Sequence, residues 1–192
     1  MKSILAALIA ISLAGTAGAS SSYFYGTNNN DTIVIGRGFD GGGLVYLACI
    51  NNEWVIGGIV TGSSDTISVS ANMGNDVVTV RTTNDIFECG GLAKWFYRLD
   101  YAYACPGRIA LSGNPGRDII TGGQCAERLY GGDGNDTLRG GGAYDYIEAS
   151  AGDDCIDDLS VSALYCGSGY DRYTPGGSWS DCERMVKYCS DL

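Results

Sequence analysis

Between Gly113 and Asp157 an acidic side chain recurs every nine residues: Asp118, Glu127, Asp136, Asp145 and Asp154. Two positions after each acid stands a large aliphatic: Ile120, Leu129, Leu138, Ile147 and Ile156. Two positions before each stand Gly116, Cys125, Gly134, Ala143 and Gly152. Carboxylates spaced along Gly-rich backbone offer oxygen donors only, the set that a hard cation such as calcium takes in preference to zinc or copper. The chain contains no His. That removes Ser-His-Asp and Cys-His catalysis, His-ligated zinc or haem, and imidazole acid–base chemistry.

The elements that would position these acids follow from the same spacing. One aliphatic between outward-facing residues makes a very short strand with a single inward side chain. The Gly-rich remainder makes a turn, because Gly enters φ > 0 conformations without steric cost. Strand and turn in alternation give a flattened coil with two nine-residue units per revolution. Units 18 residues apart then stack. Asp118, Asp136 and Asp154 line one edge, and Ile109, Glu127 and Asp145 the other. The unit 104–112 continues the phase upstream, with Ile109 in place of the acid, and 166–174 recovers it after an eight-residue interruption. Strands about 4.8 Å apart bring Cys105 and Cys125, on the weaker edge, within disulfide reach.

The unit Gly131–Arg139, GGDGNDTLR, meets every specified position of the nonapeptide G-G-x-G-x-D-x-U-x. The run 113–157 therefore resembles the RTX, or haemolysin-type, calcium-binding repeat family. The resemblance implies an all-β, right-handed parallel β-roll, a β-solenoid. It also implies calcium ions between successive turns, held by sixth-position carboxylates and loop carbonyls. Transferred residue by residue, the ligand set is Asp118, Asp136 and Asp154 with Gly116, Gly131, Asp133, Gly134 and Gly152. Glu127, Asp145 and Asp171 are weaker members. Stacked carboxylates at 4 Å would repel by about 4 kcal/mol at an effective dielectric of 20, and a divalent cation between them removes that cost.

The rest of the chain sets the context. Lys2, the apolar run Ile4–Leu13 and Ala17-Gly18-Ala19 form a secretory signal pattern over 1–19, so the protein is expected outside the cell, with no membrane span in the remainder. All eight Cys follow that segment, and an even number in a secreted chain points to disulfides. The expected pairs are Cys105–Cys125, Cys166–Cys182, Cys49–Cys89 and Cys155–Cys189. Segment 20–103 reads as irregular repeat-derived coils, 104–177 as the regular roll, and 178–192 as a cap whose helix opens at Ser180-Asp181-Cys182-Glu183. Asp31 and Asp76 each precede an aliphatic by two residues but lack a partner at the repeat spacing, so a turn role is favoured there over a calcium ligand.

A formal charge of −10, from 22 acidic against 12 basic side chains, argues against a nucleic-acid partner. The expectation is a non-enzymatic calcium-binding protein, structural or adhesive. The aromatic stretch Trp95–Tyr103 is the candidate contact for an extracellular polysaccharide or surface partner. A calcium-dependent polysaccharide-degrading enzyme and an ice-binding solenoid are the alternatives. The outward ninth position (Thr121, Tyr130, Arg139, Glu148, Asp157) lacks the regular Thr face that ice binding requires.

Overall fold

The computed structural model describes residues 11–14, 20–39, 44–60, 64–97, 105–174, 179–180, 182 and 184–185. In chain order the strands are β1 (Ile11–Ala14), β2 (Ser20–Tyr25), β3 (Thr32–Phe39), β4 (Leu44–Ile50), β5 (Glu53–Ile59), β6 (Thr66–Ser70) and β7 (Val77–Val80). The hairpin β8 (Asp85–Cys89) and β9 (Leu92–Tyr97) follows. Then come β10 (Arg108–Ser112), β11 (Ile119–Thr121), β12 (Glu127–Asp133), β13 (Thr137–Arg139), β14 (Tyr146–Ala151), β15 (Cys155–Asp157), β16 (Ala163–Ser168), β17 (Arg172–Tyr173), β18 (Trp179–Ser180) and β19 (Arg184–Met185).

These strands form two sheets. The first runs β1-β2-β6-β10-β12-β14-β16-β18 and is parallel apart from the β1–β2 pair. The second runs β19-β17-β15-β13-β11-β7-β3-β4-β5 and is mixed. From β10 onward successive strands alternate between the sheets. Register brings the eighth-position aliphatics together in columns. Val69, Leu111, Leu129, Ile147 and Leu164 align in the first sheet. Ile33, Val78, Ile120, Leu138, Ile156 and Tyr173 align in the second. All are buried and belong to one hydrophobic cluster.

The expected right-handed parallel β-roll, a β-solenoid with irregular N-terminal coils and a short C-terminal helical cap, is not what forms: one sheet is parallel apart from a single pair and the other is mixed. The second sheet is mixed because two antiparallel excursions interrupt the parallel stacking. In the first, β3 runs on past the repeat length and pairs antiparallel with β4, which pairs antiparallel with β5. The β4–β5 turn is Asn51-Asn52, with φ of 49° and 68°. The second excursion is β8–β9, turning at Gly90-Gly91 with φ of 58° and 80°. Two central residues at positive φ make the tight turn whose twist suits an antiparallel hairpin, so these segments fold back on themselves. Tyr46, Leu47, Ala48 and Ile50 of β4 are fully buried, so the first excursion adds to the core.

No helix occurs among the described residues, those of the expected C-terminal helical cap included. Its first residue, Ser180, lies instead in β18, which pairs with Leu164–Tyr165, while β19 pairs with Arg172–Tyr173. Open strand edges present rows of unpaired N–H and C=O groups, and here they recruit the chain as further strands. The eight-residue segment 158–165 is a shortened unit: β14 pairs with β16 at a spacing of 17 residues. Of the aromatic stretch, Trp95–Tyr97 falls in β9, and its continuation through 98–104 lies outside the described residues.

Three disulfides join Cys49 to Cys89, Cys105 to Cys125 and Cys166 to Cys182, with Cα–Cα distances of 5.9, 5.6 and 5.2 Å. Cys155 is also disulfide-bonded, and Cys189 lies outside the described residues. The Cys105–Cys125 bond closes a loop over a separation of 20 residues. Replacing both of its cysteines by Ser is expected to lower unfolding free energy by about 3 kcal/mol, read from urea denaturation of both proteins in saturating calcium. An unchanged midpoint would contradict this.

Candidate metal centre

One edge of the second sheet carries a continuous column of aspartates. Each is buried and lies two residues before a core side chain, aliphatic after Asp31, Asp76, Asp118, Asp136 and Asp154 and Tyr173 after Asp171. A repeated hydrogen bond links them. The Asp31 N–H donates to Asp76 Oδ1 at 2.7 Å, Asp76 to Asp118 at 2.7 Å and Asp118 to Asp136 at 2.8 Å. Asp136 continues to Asp154 at 2.7 Å and Asp154 to Asp171 at 2.9 Å. One oxygen of each accepting carboxylate is thus anchored by the backbone of its neighbour. The other oxygens of Asp76, Asp118, Asp136 and Asp154 are buried with no hydrogen-bond partner. A buried anionic oxygen without a donor is costly and marks a place that a cation would complete.

The Gly positions make the space. A Cβ on Gly131 would lie 2.5 Å from Asp136 Oδ2 and 2.6 Å from the Ala149 carbonyl oxygen. The room in front of Gly131 is therefore where a carboxylate of one rung meets a carbonyl of the next. Gly116, Gly134 and Gly152 have φ of 156°, 128° and 141°, and a Cβ on Gly134 or Gly152 would strike the carbonyl of the preceding rung's Gly. Asp133 is exposed, and its carbonyl accepts from the Gly116 N–H at 2.8 Å. Among the described residues no three His, Cys, Asp or Glu side chains close on one point. The donors come instead as one carboxylate per rung with backbone carbonyls, all oxygen, and this set fits calcium.

The structure brings together residues that the nine-residue spacing separates. Asp76 stacks on Asp118 across 42 residues, and Asp31 on Asp76 across 45, because the two excursions lengthen the loops between rungs. The aliphatic two residues downstream, Ile33 and Val78, marks both positions in the sequence, but not the rung on which each stacks. Asp31 ends the column differently. Thr27 N–H and Oγ1 and Asn51 Nδ2 all donate to its carboxylate. Asp171 takes its place as a rung through the shortened unit. A second, exposed column was also missed: Asn30, Asn75, Asn135 and Asp153 accept the N–H of Asn75, Arg117, Asp153 and Tyr170 at 2.9–3.0 Å.

On the opposite edge Glu127 and Asp145 are buried and stacked, the Glu127 N–H donating to Asp145 Oδ1 at 2.7 Å. Gly123 N–H donates to Glu127 Oε2 at 3.1 Å, leaving Oε1 without a partner. Ile109 sits one rung below.

Residues 110–138 and 130–157 match the family model of the RTX calcium-binding nonapeptide repeat. The segment 110–157 carries RTX calcium-binding nonapeptide repeats. RTX nonapeptide repeats bind Ca²⁺, and the Asp column with its carbonyl-facing oxygens is where this chain has the matching donors. No curated protein and no solved structure matches the chain. The matched repeats cover the rungs Asp118, Asp136 and Asp154, whereas Asp31, Asp76 and Asp171 lie outside them.

Burial sets the electrostatics of the Asp column. It raises Asp136 and Asp154 to about 7 and Asp76 to about 6, against the pull of the backbone N–H and with added repulsion from neighbouring carboxylates. Asp118 moves up for the same first reason. Between the ordinary carboxylate range and about pH 7 the calcium-free fold holds protons that the unfolded chain has released. Its stability therefore falls as pH rises through that window. Calcium needs the ionised carboxylates, so binding displaces protons. Calorimetric titrations at pH 6 and pH 8 in buffers of different ionisation heat are expected to show weaker binding and more proton release at pH 6. Equal affinity at both pH values would refute the coupling.

Proposed function

We propose that the protein is a secreted, non-enzymatic calcium-binding protein in which calcium completes the Asp edge of the stacked strands, and that its role is structural or adhesive. The observation that carries this reading is the row of buried Oδ2 atoms on Asp76, Asp118, Asp136 and Asp154, each without a hydrogen-bond donor. An edge so charged favours folding only when a cation neutralises it. Binding to the folded state alone stabilises by mass action, by about 2.7 kcal/mol at a hundredfold excess over Kd. Extracellular modules bind calcium at roughly 10⁻⁴–10⁻³ M, so such ions would fill the edge outside the cell. Export is supported by the signal pattern over 1–19 and by the absence of free cysteines among the described residues.

The test is circular dichroism and thermal unfolding with calcium and with chelator, on the wild type and Asp136→Asn. Calcium is expected to raise Tm by ten degrees or more in the wild type and by less in the variant. A wild type whose β signal and Tm are identical with and without calcium would sink the proposal.

Carbohydrate binding has one observation in its favour. Tyr130, Tyr146 and Tyr165 cluster on the outer face of the first sheet, with ring centroids 5.9 and 5.6 Å apart, and Arg128 lies 5.9 Å over Tyr146. Aromatic faces beside a guanidinium suit sugar contacts. Retention on an immobilised polysaccharide that Tyr146→Ala abolishes would support an adhesive role. No retention by the wild type would leave the structural role.

A further inference from the structure

The N-terminal end of the first sheet holds a buried contact that the repeats do not account for. Its acceptor is Asp65, one residue before β6. Ile67 pairs with Ile109, and Ile109 with Glu127. Asp65 therefore stands in the column of Gly107 and Cys125, two residues before the place of the repeat's acid, and is not a repeat carboxylate. Its side chain is fully buried. Oδ1 accepts the Ser20 backbone N–H at 2.7 Å, and Oδ2 accepts the Tyr46 hydroxyl at 2.8 Å. Ser20 is buried as well, and its own Oγ has no hydrogen-bond partner. The residue is thus held by its backbone nitrogen, across 45 residues of chain.

That nitrogen is the atom that leader removal changes. The signal pattern ends at Ala17-Gly18-Ala19, so cleavage after Ala19 makes Ser20 the first residue. The amide N–H then becomes an α-ammonium at the same place. A neutral amide offsets the burial of a carboxylate only in part, whereas an ammonium also neutralises it. Cleavage removes β1 too, which pairs with β2 through Ala14 and Ser20. β2 becomes the end strand of its sheet, and a chain terminus stays ordered only where it is tied down. The groups facing the contact come from three strands. Tyr46 of β4 stays a donor, because burial and the Asp65 carboxylate keep its hydroxyl protonated well above the ordinary tyrosine range. Arg37 of β3 is buried and its charge acts on the same hydroxyl, but a guanidinium does not titrate. Gly58 of β5 packs on Ser20 without charge: a Cβ there would lie 3.1 Å from Ser20 Cβ.

We infer that signal cleavage creates a buried ion pair between the Ser20 α-ammonium and Asp65, which ties the first strand of the processed protein to the stack. The N-terminal strand is fixed in this way only after the leader has gone. The inference rests on the export reading above for the cleavage point alone. The α-amine gains a carboxylate partner, so its pKa in the folded chain lies above the ordinary value of about 8. The stabilisation is full below about pH 8 and is lost as pH rises through that higher value.

The experiment compares three chains in saturating calcium, each released from a cleavable fusion: 20–192, 19–192, and 20–192 with Asp65→Asn. The 19–192 chain keeps an amide at Ser20 and leaves Asp65 intact, so it serves if the Asp65 variant fails to fold. At pH 8 the α-amine of 20–192 is expected to react with acetic anhydride about fivefold more slowly than that of 19–192, read by peptide mass. Asp65→Asn is expected to restore the ordinary rate. At pH 7 the Tm of 20–192 is expected to exceed that of 19–192, and the gap is expected to close by about pH 10. Equal reactivity and equal Tm for 20–192 and 19–192 would overturn the ion pair. The intact mass of the full chain expressed for export checks the cleavage point separately. A first residue of Ser20 supports the inference. A chain that keeps its leader, or is cut elsewhere, overturns the cleavage and the inference with it. A chain cut before Ser20 whose amine reacts at the ordinary rate overturns the ion pair and leaves export standing.

Discussion

The interaction on which the stack depends is the bond from one aspartate's backbone N–H to the next aspartate's Oδ1. It repeats at 2.7–2.9 Å from Asp31 to Asp171. The bond does two things at once. It satisfies a backbone donor at the point where each strand begins, which buried chain requires. It also holds the carboxylate so that its second oxygen turns inward, where no protein donor meets it. A hydrophobic column two residues away supplies the attraction between rungs, and the carboxylates supply a charge problem. On the proposed reading, calcium and the fold are linked through that problem.

The two edges solve it differently. On the second sheet the column is regular, each rung contributing one carboxylate beside backbone carbonyls. At its N-terminal end Thr27 and Asn51 donate to Asp31 directly, so protein groups do there what an ion would do elsewhere. On the first sheet the acids are fewer and Ile109 occupies one rung. That edge carries the Cys105–Cys125 disulfide and the contact of Ser20 with Asp65. Covalent bonds, protein donors and cation sites thus share one task, holding together turns that bury few residues each.

The part of this that could be read from the sequence was the part in strict phase. Asp118, Asp136 and Asp154 recur every 18 residues, and the structure stacks them. The inward aliphatics were equally plain, because a short strand with one apolar side chain admits only one orientation. The stacking of Asp31 and Asp76 was not legible, since spacings of 45 and 42 residues hide a pairing that a period search cannot see. The excursions responsible had their own signals in Asn51-Asn52 and Gly90-Gly91, each between strand-like runs, and these make antiparallel hairpins where repeat-derived coils were expected. The C-terminal capping box was locally sound, yet strand pairing with β16 and β17 prevailed, since an exposed sheet edge offers more backbone bonds than a single helical turn.

What the sequence determined by itself is the chemistry: oxygen donors without imidazole, at a nine-residue period, in a chain whose even cysteine count suits disulfides. Local spacing suffices for that, because residue type and phase decide which side chains face inward. What only the tertiary structure decided is which rungs meet. Contacts between strands distant in the chain set the length of the Asp column, the mixed second sheet and the meeting of Ser20 with Asp65. Each of these depends on register across a loop, and loop length is free to vary at little entropic cost, so the spacing along the chain does not carry it.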